Sequence, residues 1–205
     1  MSISEKDPVI SFSDFKMIKL LGNGSFGKVF LAKHAKRCKF YALKVLNKKK
    51  LMVKKQLRYA VGEASILKKV DCPFIIKLHY SFQTPSNLYM ALDYCPNGDL
   101  AELLSEKDML DEKMARFYAA QLIIAIEYLH KKKIIYRDLK PENILIGPDG
   151  YIRLTDFGLS KENTFSMSFC GSPAYLSPEM LEKKGVGLET DIYGIGCVLF
   201  EMLVG

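Results

Sequence analysis

Apolar and polar positions alternate through Phe40–Val45 (FYALKV) with the period of two that marks a half-buried strand. Tyr41, Leu43 and Val45 fall on one face, Ala42 and Lys44 on the other. From Leu57 the period lengthens: Leu57, Val61, Ala64 and Leu67 recur at helical spacing and predict one long helix over Lys54–Val70 with these residues as its apolar stripe. A second helical run covers Met114–Leu129 and ends before Lys131–Lys133, where cations complement a helix C-terminus. In ILIGPDGYIRLT, two short apolar strands flank Asp149-Gly150, a strong hairpin signal. In DIYGIGCVLFEMLVG, Asp191–Gly205, the stretch from Ile192 to Val204 carries Glu201 as its only charge. A helix apolar nearly all round belongs in the middle of a core.

Composition narrows the class without naming a function. The chain of 205 residues is 49% hydrophobic, enough to bury a sizeable core. The net charge of +7 invites a nucleic-acid partner, but along the sequence the lysines are scattered and the clusters Lys48–Lys50 and Lys131–Lys133 are short, so both read as solvated faces. The five cysteines (Cys38, Cys72, Cys95, Cys170, Cys197) are odd in number and lack metal-ligand spacing, which fits reduced thiols in the cytoplasm. MSISEKDPVI has neither a signal-peptide core nor a myristoylation glycine, and no apolar stretch is long enough for membrane insertion. No repeat or low-complexity segment is evident.

The chemistry lies in short ordered motifs. YRDLKPEN, Tyr136–Asn143, is followed closely by Asp156-Phe157-Gly158. If Asp149 and Gly150 form a two-residue turn, Asn143 and Asp156 face each other across the hairpin. A carboxamide and a carboxylate side by side, with Asp138 upstream, supply hard oxygen ligands suited to magnesium, and so to phosphate. Upstream, Gly22, Gly24, Gly27 and Val29 form G-x-G-x-x-G-x-V. That spacing alone is weak, because a dinucleotide-binding turn shares it. Here Val29, Phe30 and Leu31 predict a following strand rather than a helix, so the glycines sit in a strand-loop-strand hairpin able to cover a triphosphate closely. Lys44 on its apolar strand reads most simply as an edge residue facing water. Glu63, one turn before Leu67, places a carboxylate near the buried helix face, where a cation must meet it, and Lys44 is the natural partner.

Together these residues resemble the eukaryotic protein kinases from about Phe15 to Gly205, Ser177-Pro178-Glu179 included. Tyr136-Arg137-Asp138, FCGSPAYLSPE and PFIIKLHYSFQT resemble the AGC group, and Lys140 matches the serine/threonine-specific loop. The resemblance implies an α+β, bilobal fold: an N-terminal extension over 1–14, a small antiparallel-sheet lobe with one long helix over 15–92, and a mainly helical large lobe over 93–205. It implies ATP and Mg2+ as cofactors. Leu21, Gly22, Asn23, Gly24, Ser25, Phe26, Gly27, Lys28 and Val29, with Ala42, Lys44, Glu63, Asp93, Cys95 and Leu145, would hold the nucleotide. Asp93–Pro96 resembles the hinge and Leu92 the gate behind it, while Leu67, Leu78, Tyr136 and Phe157, and Val29, Ala42 and Leu145, match the packed spines.

By the same resemblance Asp138 is the catalytic base, Lys140 neutralises the transferred group, and Asn143 and Asp156 hold the metal. Asp191 braces the catalytic loop, and Ser172 contacts that loop. Ser168 is the expected activating phosphorylation site for an upstream kinase, with Ser166 its rival and Arg137 its anchor. Asp99 and Glu142 match carboxylates that read substrate arginines, and Phe169, Pro173 and Leu176 an apolar pocket after the acceptor. The partners implied are protein substrates with basic residues before the acceptor, and no nucleic acid. Cytoplasmic residence is expected, with nuclear entry open. Against the family pattern the chain stops at its central helix, without the arginine that pairs with Glu179. The competing expectation is a weak or inert fragment that binds nucleotide or a partner, with one side of Ile192–Val204 left facing water.

Overall fold

A computed structural model describes residues 10–24, 26–163, 165–166 and 172–205. Ser25, Ser168, Phe169 and Cys170 lie outside the described residues. The chain has an α+β fold and divides into two compact units: residues 1–57 with 78–94, and residues 58–77 with 95–205.

The first unit is one antiparallel sheet in the order β1-β2-β3-β5-β4. Its strands are β1 (Phe15–Asn23), β2 (Gly27–His34), β3 (Phe40–Asn47), β4 (Leu78–Gln83) and β5 (Asn87–Leu92), with the short helix α1 (Lys48–Val53) after β3. The glycines lie between paired strands β1 and β2, as their flanks predict. The alternation in β3 also holds: Tyr41 and Leu43 are fully buried with Phe15, Ala32, Tyr89 and Ala91, and Val45 packs against them.

The single helix expected over Lys54–Val70 is instead a break followed by α2 (Leu57–Lys69). Asn47 caps α1 by accepting from the Lys50 N–H at 3.0 Å. Lys55 takes a left-handed φ of 54°, and the Gln56 N–H returns to the Leu51 carbonyl at 2.8 Å, an α1 C-terminal turn that helical periodicity does not reveal. The stripe is also rotated. Ala60, Glu63, Ile66 and Leu67 are buried, whereas Val61 is 55% exposed. Glu63 lies on the buried face, as its place one turn before Leu67 predicts, but the face runs through Ala60 and Ile66 rather than through Val61.

The second unit holds α2, α3 (Leu100–Lys107), α4 (Glu112–Lys131), α5 (Pro178–Leu181) and α6 (Glu189–Val204). Two-residue strands β6 (Ile134–Ile135) and β9 (Lys161–Glu162) pair, as do β10 (Phe165–Ser166) and β11 (Val186–Gly187). The α4 residues Ala115, Tyr118, Ala119, Leu122, Ala125, Ile126 and Leu129 form a continuous buried stripe. Gln121 on the same face accepts from the Ile152 N–H at 2.8 Å and donates to the Phe117 carbonyl at 3.0 Å, fixing the hairpin to the helix.

That hairpin, β7 (Ile144–Ile146) and β8 (Ile152–Leu154), pairs Ile144 with Leu154 and Ile146 with Ile152. The register is one residue from that of a two-residue Asp149-Gly150 turn. Pro148, Asp149 and Gly150 form a three-residue loop closed by Gly147 N–H to Tyr151 carbonyl at 2.8 Å, with Gly150 at φ 79°. Continued past the strands, the register therefore sets Asn143 against Thr155, whose N–H donates to the Asn143 carbonyl at 2.9 Å, and Asp156 lies one residue beyond. In α6, Thr190, Asp191, Gly194, Val198 and Met202 are buried, while Ile192, Phe200 and Val204 face outward. Among the described residues no helix is long and apolar enough to cross a membrane.

Candidate active site

The loop between β6 and β7 concentrates buried polar groups. Arg137, Asp138 and Asn143 are all less than a tenth exposed. Asp191, at the start of α6, holds the loop backbone: its carboxylate accepts from the N–H of Tyr136 at 2.9 Å and of Arg137 at 2.8 Å. His130 completes the shell at 2.8 Å. Arg137 takes φ 71°, and its guanidinium donates to the Leu159 carbonyl. A buried carboxylate with three donors is how a non-glycine residue is held in a left-handed conformation.

Asp138 and its neighbours form a connected set. The Asn143 amide nitrogen donates to the Asp138 carboxylate at 2.9 Å and to its carbonyl at 2.8 Å. Lys140 Nζ lies 3.4 Å from the same carboxylate and 2.7 Å from Ser172 Oγ, which donates to the other Asp138 oxygen at 3.1 Å. Ser172 therefore does contact the catalytic loop. With the Asn143 nitrogen committed to Asp138, its side-chain oxygen is the atom available to a cation. Asp156 sits at φ 53° just past the hairpin, and Tyr136 packs edge-to-face on Phe157 with centroids 5.2 Å apart. Burial, and then the charges of Asp156, Asp138 and Asp191, push the Tyr136 hydroxyl well above its ordinary pKa. The three carboxylates thus share one locality, and the phenol between them stays neutral. Among the described residues no group of three or more His, Cys, Asp and Glu is placed to cage a metal. Asn143 and Asp156 offer hard oxygen donors that could hold a magnesium ion sharing its shell with phosphate oxygens.

In the first unit the glycines differ in their reasons. A Cβ on Gly27 would collide with the Val45 carbonyl oxygen, so β2–β3 packing requires glycine there. Gly22 meets nothing within 4 Å and Gly24 only the Gly27 carbonyl at 3.8 Å, so no protein atom demands their bareness. Val29 pairs with Lys44 and Lys44 with Met90, a row across β2, β3 and β5, while Ala42 pairs with Leu31 and Leu92 one step along. Leu21 and Asn23 close β1, Phe26 accepts from the Asn47 N–H at 2.9 Å, and Lys28 faces Asn23. Asp93 bonds His79 at 2.6 Å. Glu63, on α2 in the second unit, is 3% exposed. In that unit Leu145 bridges to Asp99, and Cys95 begins the segment leading to α3.

The family model of the protein kinase domain matches residues 15–205. The chain belongs to the protein kinase family. Relatives include Protein kinase 3 of Dictyostelium discoideum, 44% identical over 96% of this chain and 23% of its own length. Serine/threonine-protein kinase Sgk1 is 48% identical in Danio rerio, over 97% of this chain and 47% of that protein, and 48% identical in Homo sapiens, over 94% and 46%. The kinase chain thus spans about half the length of the Sgk1 relatives and about a quarter of Protein kinase 3. The AGC resemblance agrees with these relatives.

Two groups in this kinase escaped the sequence reading. Tyr175 donates to Glu201 on α6 at 2.6 Å, and burial followed by that carboxylate and Glu142 pushes the phenol far above its usual range. Glu201 stands out as the lone charge of an apolar helix, but only folding brings it to the activation segment. Asp99 has its pKa raised, by burial first and by Glu102 and Glu142 as well, against the hydrogen bonds it accepts as the α3 cap. Glu179, whose expected arginine is absent from this sequence, accepts from the Thr190 hydroxyl at 2.9 Å. Pro173–Tyr175 form a short 3-10 turn before the half-buried Leu176.

Proposed function

We propose that this chain is the catalytic portion of an ATP- and magnesium-dependent serine/threonine protein kinase acting on substrates with basic residues before the acceptor. The observation that carries the reading is the Asp138–Asn143–Lys140–Ser172 set, preorganised on a loop clamped by Asp191. Asp138 takes the proton of the incoming serine or threonine hydroxyl and aligns its oxygen in line with the terminal phosphate. Lys140, now bonded to Ser172, turns its charge to the equatorial oxygens of the transferred phosphoryl group. Asn143 and Asp156 would hold magnesium, which when bound would supply the charge neutralisation that phosphoryl transfer depends on. Lys44, with Glu63 as its proposed counter-ion, positions the inner phosphates. Gly22 and Gly24, bare without any internal need, leave room for phosphate oxygens against the β1–β2 backbone. Asp93, Cys95, Ala42 and Leu145 are assigned to the adenine.

The basic preference rests on Asp99 and Glu142: burial first, and the charges of Glu102 and Glu142 as well, push the Asp99 carboxyl up, so a substrate cation beside these carboxylates would be favoured. An upstream kinase is proposed to act at Ser168, with Arg137 as the anchor of the new phosphate. A cytoplasmic setting suits the free thiols of Cys38, Cys72, Cys95 and Cys197. The decisive test is transfer of labelled γ-phosphate to a serine peptide with arginines before the acceptor. Incorporation that requires magnesium and is lost in Asp138→Asn supports the reading; incorporation unaffected by Asp138→Asn overturns it. Ser168→Ala, compared with Ser166→Ala after treatment with an upstream kinase, should alone prevent activation.

A further inference from the structure

Charge is divided sharply between the two units. The first unit carries 14 Lys and Arg against 4 Asp and Glu, a net of +10, and the second carries 16 against 19, a net of −3. All 14 of those cations lie in residues 1–57, and the 78–94 segment adds only Asp93.

Part of that excess is gathered at one end of the sheet. Lys16 on β1 pairs with Lys33 on β2, and Lys33 with Phe40 on β3, so the three side chains stand in a row on one face. The turn that follows β2 adds Lys36, Arg37 and Lys39, and is closed by His34 N–H to the Lys39 carbonyl and by Ala35 N–H to the Asp14 carbonyl. None of Lys16, Lys33, Lys36, Arg37 and Lys39 forms an ion pair with a described carboxylate. Three lie on aromatic faces instead: Lys33 over Phe40 at 5.7 Å, Arg37 over Tyr80 at 5.6 Å and Lys39 over Tyr41 at 5.6 Å. Asp14, the nearest acid, is engaged by Ser11 through its N–H and hydroxyl. Exposed apolar side chains lie beside the cations: Phe40 within the row, and Ile18 at a bulge of edge strand β1.

We infer that this end of the sheet, built from Lys16, Lys33, Lys36, Arg37 and Lys39 with Phe40 and Ile18, is a docking surface for an anionic lipid bilayer. Cations without a carboxylate ion pair, Lys36 alone acting at longer range on Asp14, meet the negative surface potential of acidic headgroups, and the apolar side chains beside them reach the headgroup–acyl boundary. A nucleic-acid surface would instead present stacking rings between its cations, and Phe40 is the only exposed ring in the row. The contact is adsorption, which needs no membrane-spanning helix, and it does not depend on the proposed catalytic activity.

The test is flotation of the 205-residue chain with phosphatidylcholine vesicles, with and without phosphatidylserine. Binding is expected only to the phosphatidylserine vesicles and should vanish toward about 1 M salt, where the Debye length falls to about 3 Å. The quadruple variant Lys33→Glu, Lys36→Glu, Arg37→Glu, Lys39→Glu should bind at least about 100-fold more weakly, since each surface cation contributes about fivefold. Lys131→Glu, Lys132→Glu, Lys133→Glu in the second unit should leave binding unchanged. Should the quadruple variant not fold, Lys36→Gln, Arg37→Gln should still weaken binding more than tenfold. Equal binding to both vesicle types, an equal loss in the second-unit variant, or binding to single-stranded RNA without binding to vesicles each overturns the inference.

Discussion

The catalytic loop and the glycine loop are both polar, irregular and rich in sequence motifs, yet they are built on opposite terms. The catalytic loop is internally complete: Asp138 accepts from Asn143 and Ser172, and Asp191 accepts from two loop N–H groups and His130. Among the described residues the glycine loop makes one bond across its turn, Gly24 N–H to the Gly27 carbonyl at 2.9 Å, and leaves space around Gly22 and Gly24. Preorganisation suits groups that must meet a developing charge without rearranging. Open backbone suits a cover that must close on a ligand the protein itself does not supply. Substitutions should therefore damage chemistry and stability in the first region, and ligand affinity in the second.

The largest effect is expected at the hairpin end. Asp156→Ala removes the charged member of the proposed metal pair and should lower magnesium-dependent transfer by at least about 10³-fold. The fold should survive, because the hairpin register is set by Gln121 and the Pro148–Gly150 loop rather than by Asp156. Near-normal turnover in a preparation free of contaminating kinase would falsify the metal assignment.

Asp191→Ala attacks the clamp instead. Two buried backbone N–H groups lose their acceptor, at about 1–3 kcal/mol each, so urea melts should show roughly 2–6 kcal/mol of destabilisation together with lost activity. Asp191→Asn retains one acceptor oxygen and should recover part of both. An Asp191→Ala chain as stable as the parent would mean the loop is held by something else.

What could be read from the sequence follows the same division. Strand alternation in Phe40–Val45 and the strand after the glycines are local, and the structure has both. The Asp191 brace and the Ser172 contact came from motif resemblance, and both bonds are present. The misread features depend on backbone detail or on chain-distant encounters. Pro148 joins the turn and shifts the register by one residue, and Lys55 at positive φ ends α1 where periodicity continues. The buried face of α2 passes through Ala60 rather than Val61, which hydrophobic size alone ranks the other way. Glu201 meets Tyr175 across 26 residues.

A smaller and more discriminating effect separates the glycines from one another. Gly27→Ala drives a methyl group into the Val45 carbonyl and should destabilise the sheet by about 1–3 kcal/mol, the usual cost of overpacking. Gly22→Ala meets no protein atom and should leave the melting temperature within about a degree or two, since surface changes are usually within about 0.5 kcal/mol. Its KM for ATP should nevertheless rise, by about tenfold if a close backbone–phosphate contact is lost. Equal ATP affinity in Gly22→Ala and the parent would show that the open space at Gly22 is not kept for nucleotide.

The smallest expected effect concerns acid sensitivity at the second unit's own clamp. Burial pushes the Glu179 carboxyl up, but hydrogen bonds from Ser177, from its own N–H and from Thr190 outweigh this and leave its pKa below the ordinary value. The lowered folded-state pKa fixes the sign: the charged form is favoured in the folded chain, so its stabilisation is fully present above the unfolded value near 4.5 and is lost as pH falls through the folded value. Thr190→Val removes one buried donor with little change of shape and should bring the folded pKa back toward the unfolded one. Melting temperatures of the parent and Thr190→Val should differ most at pH about 6 and converge as pH falls below the folded value, where Glu179 is protonated in both states. A constant gap across that range would assign the Thr190 hydroxyl to Ser177, 3.4 Å away, rather than to the Glu179 carboxylate.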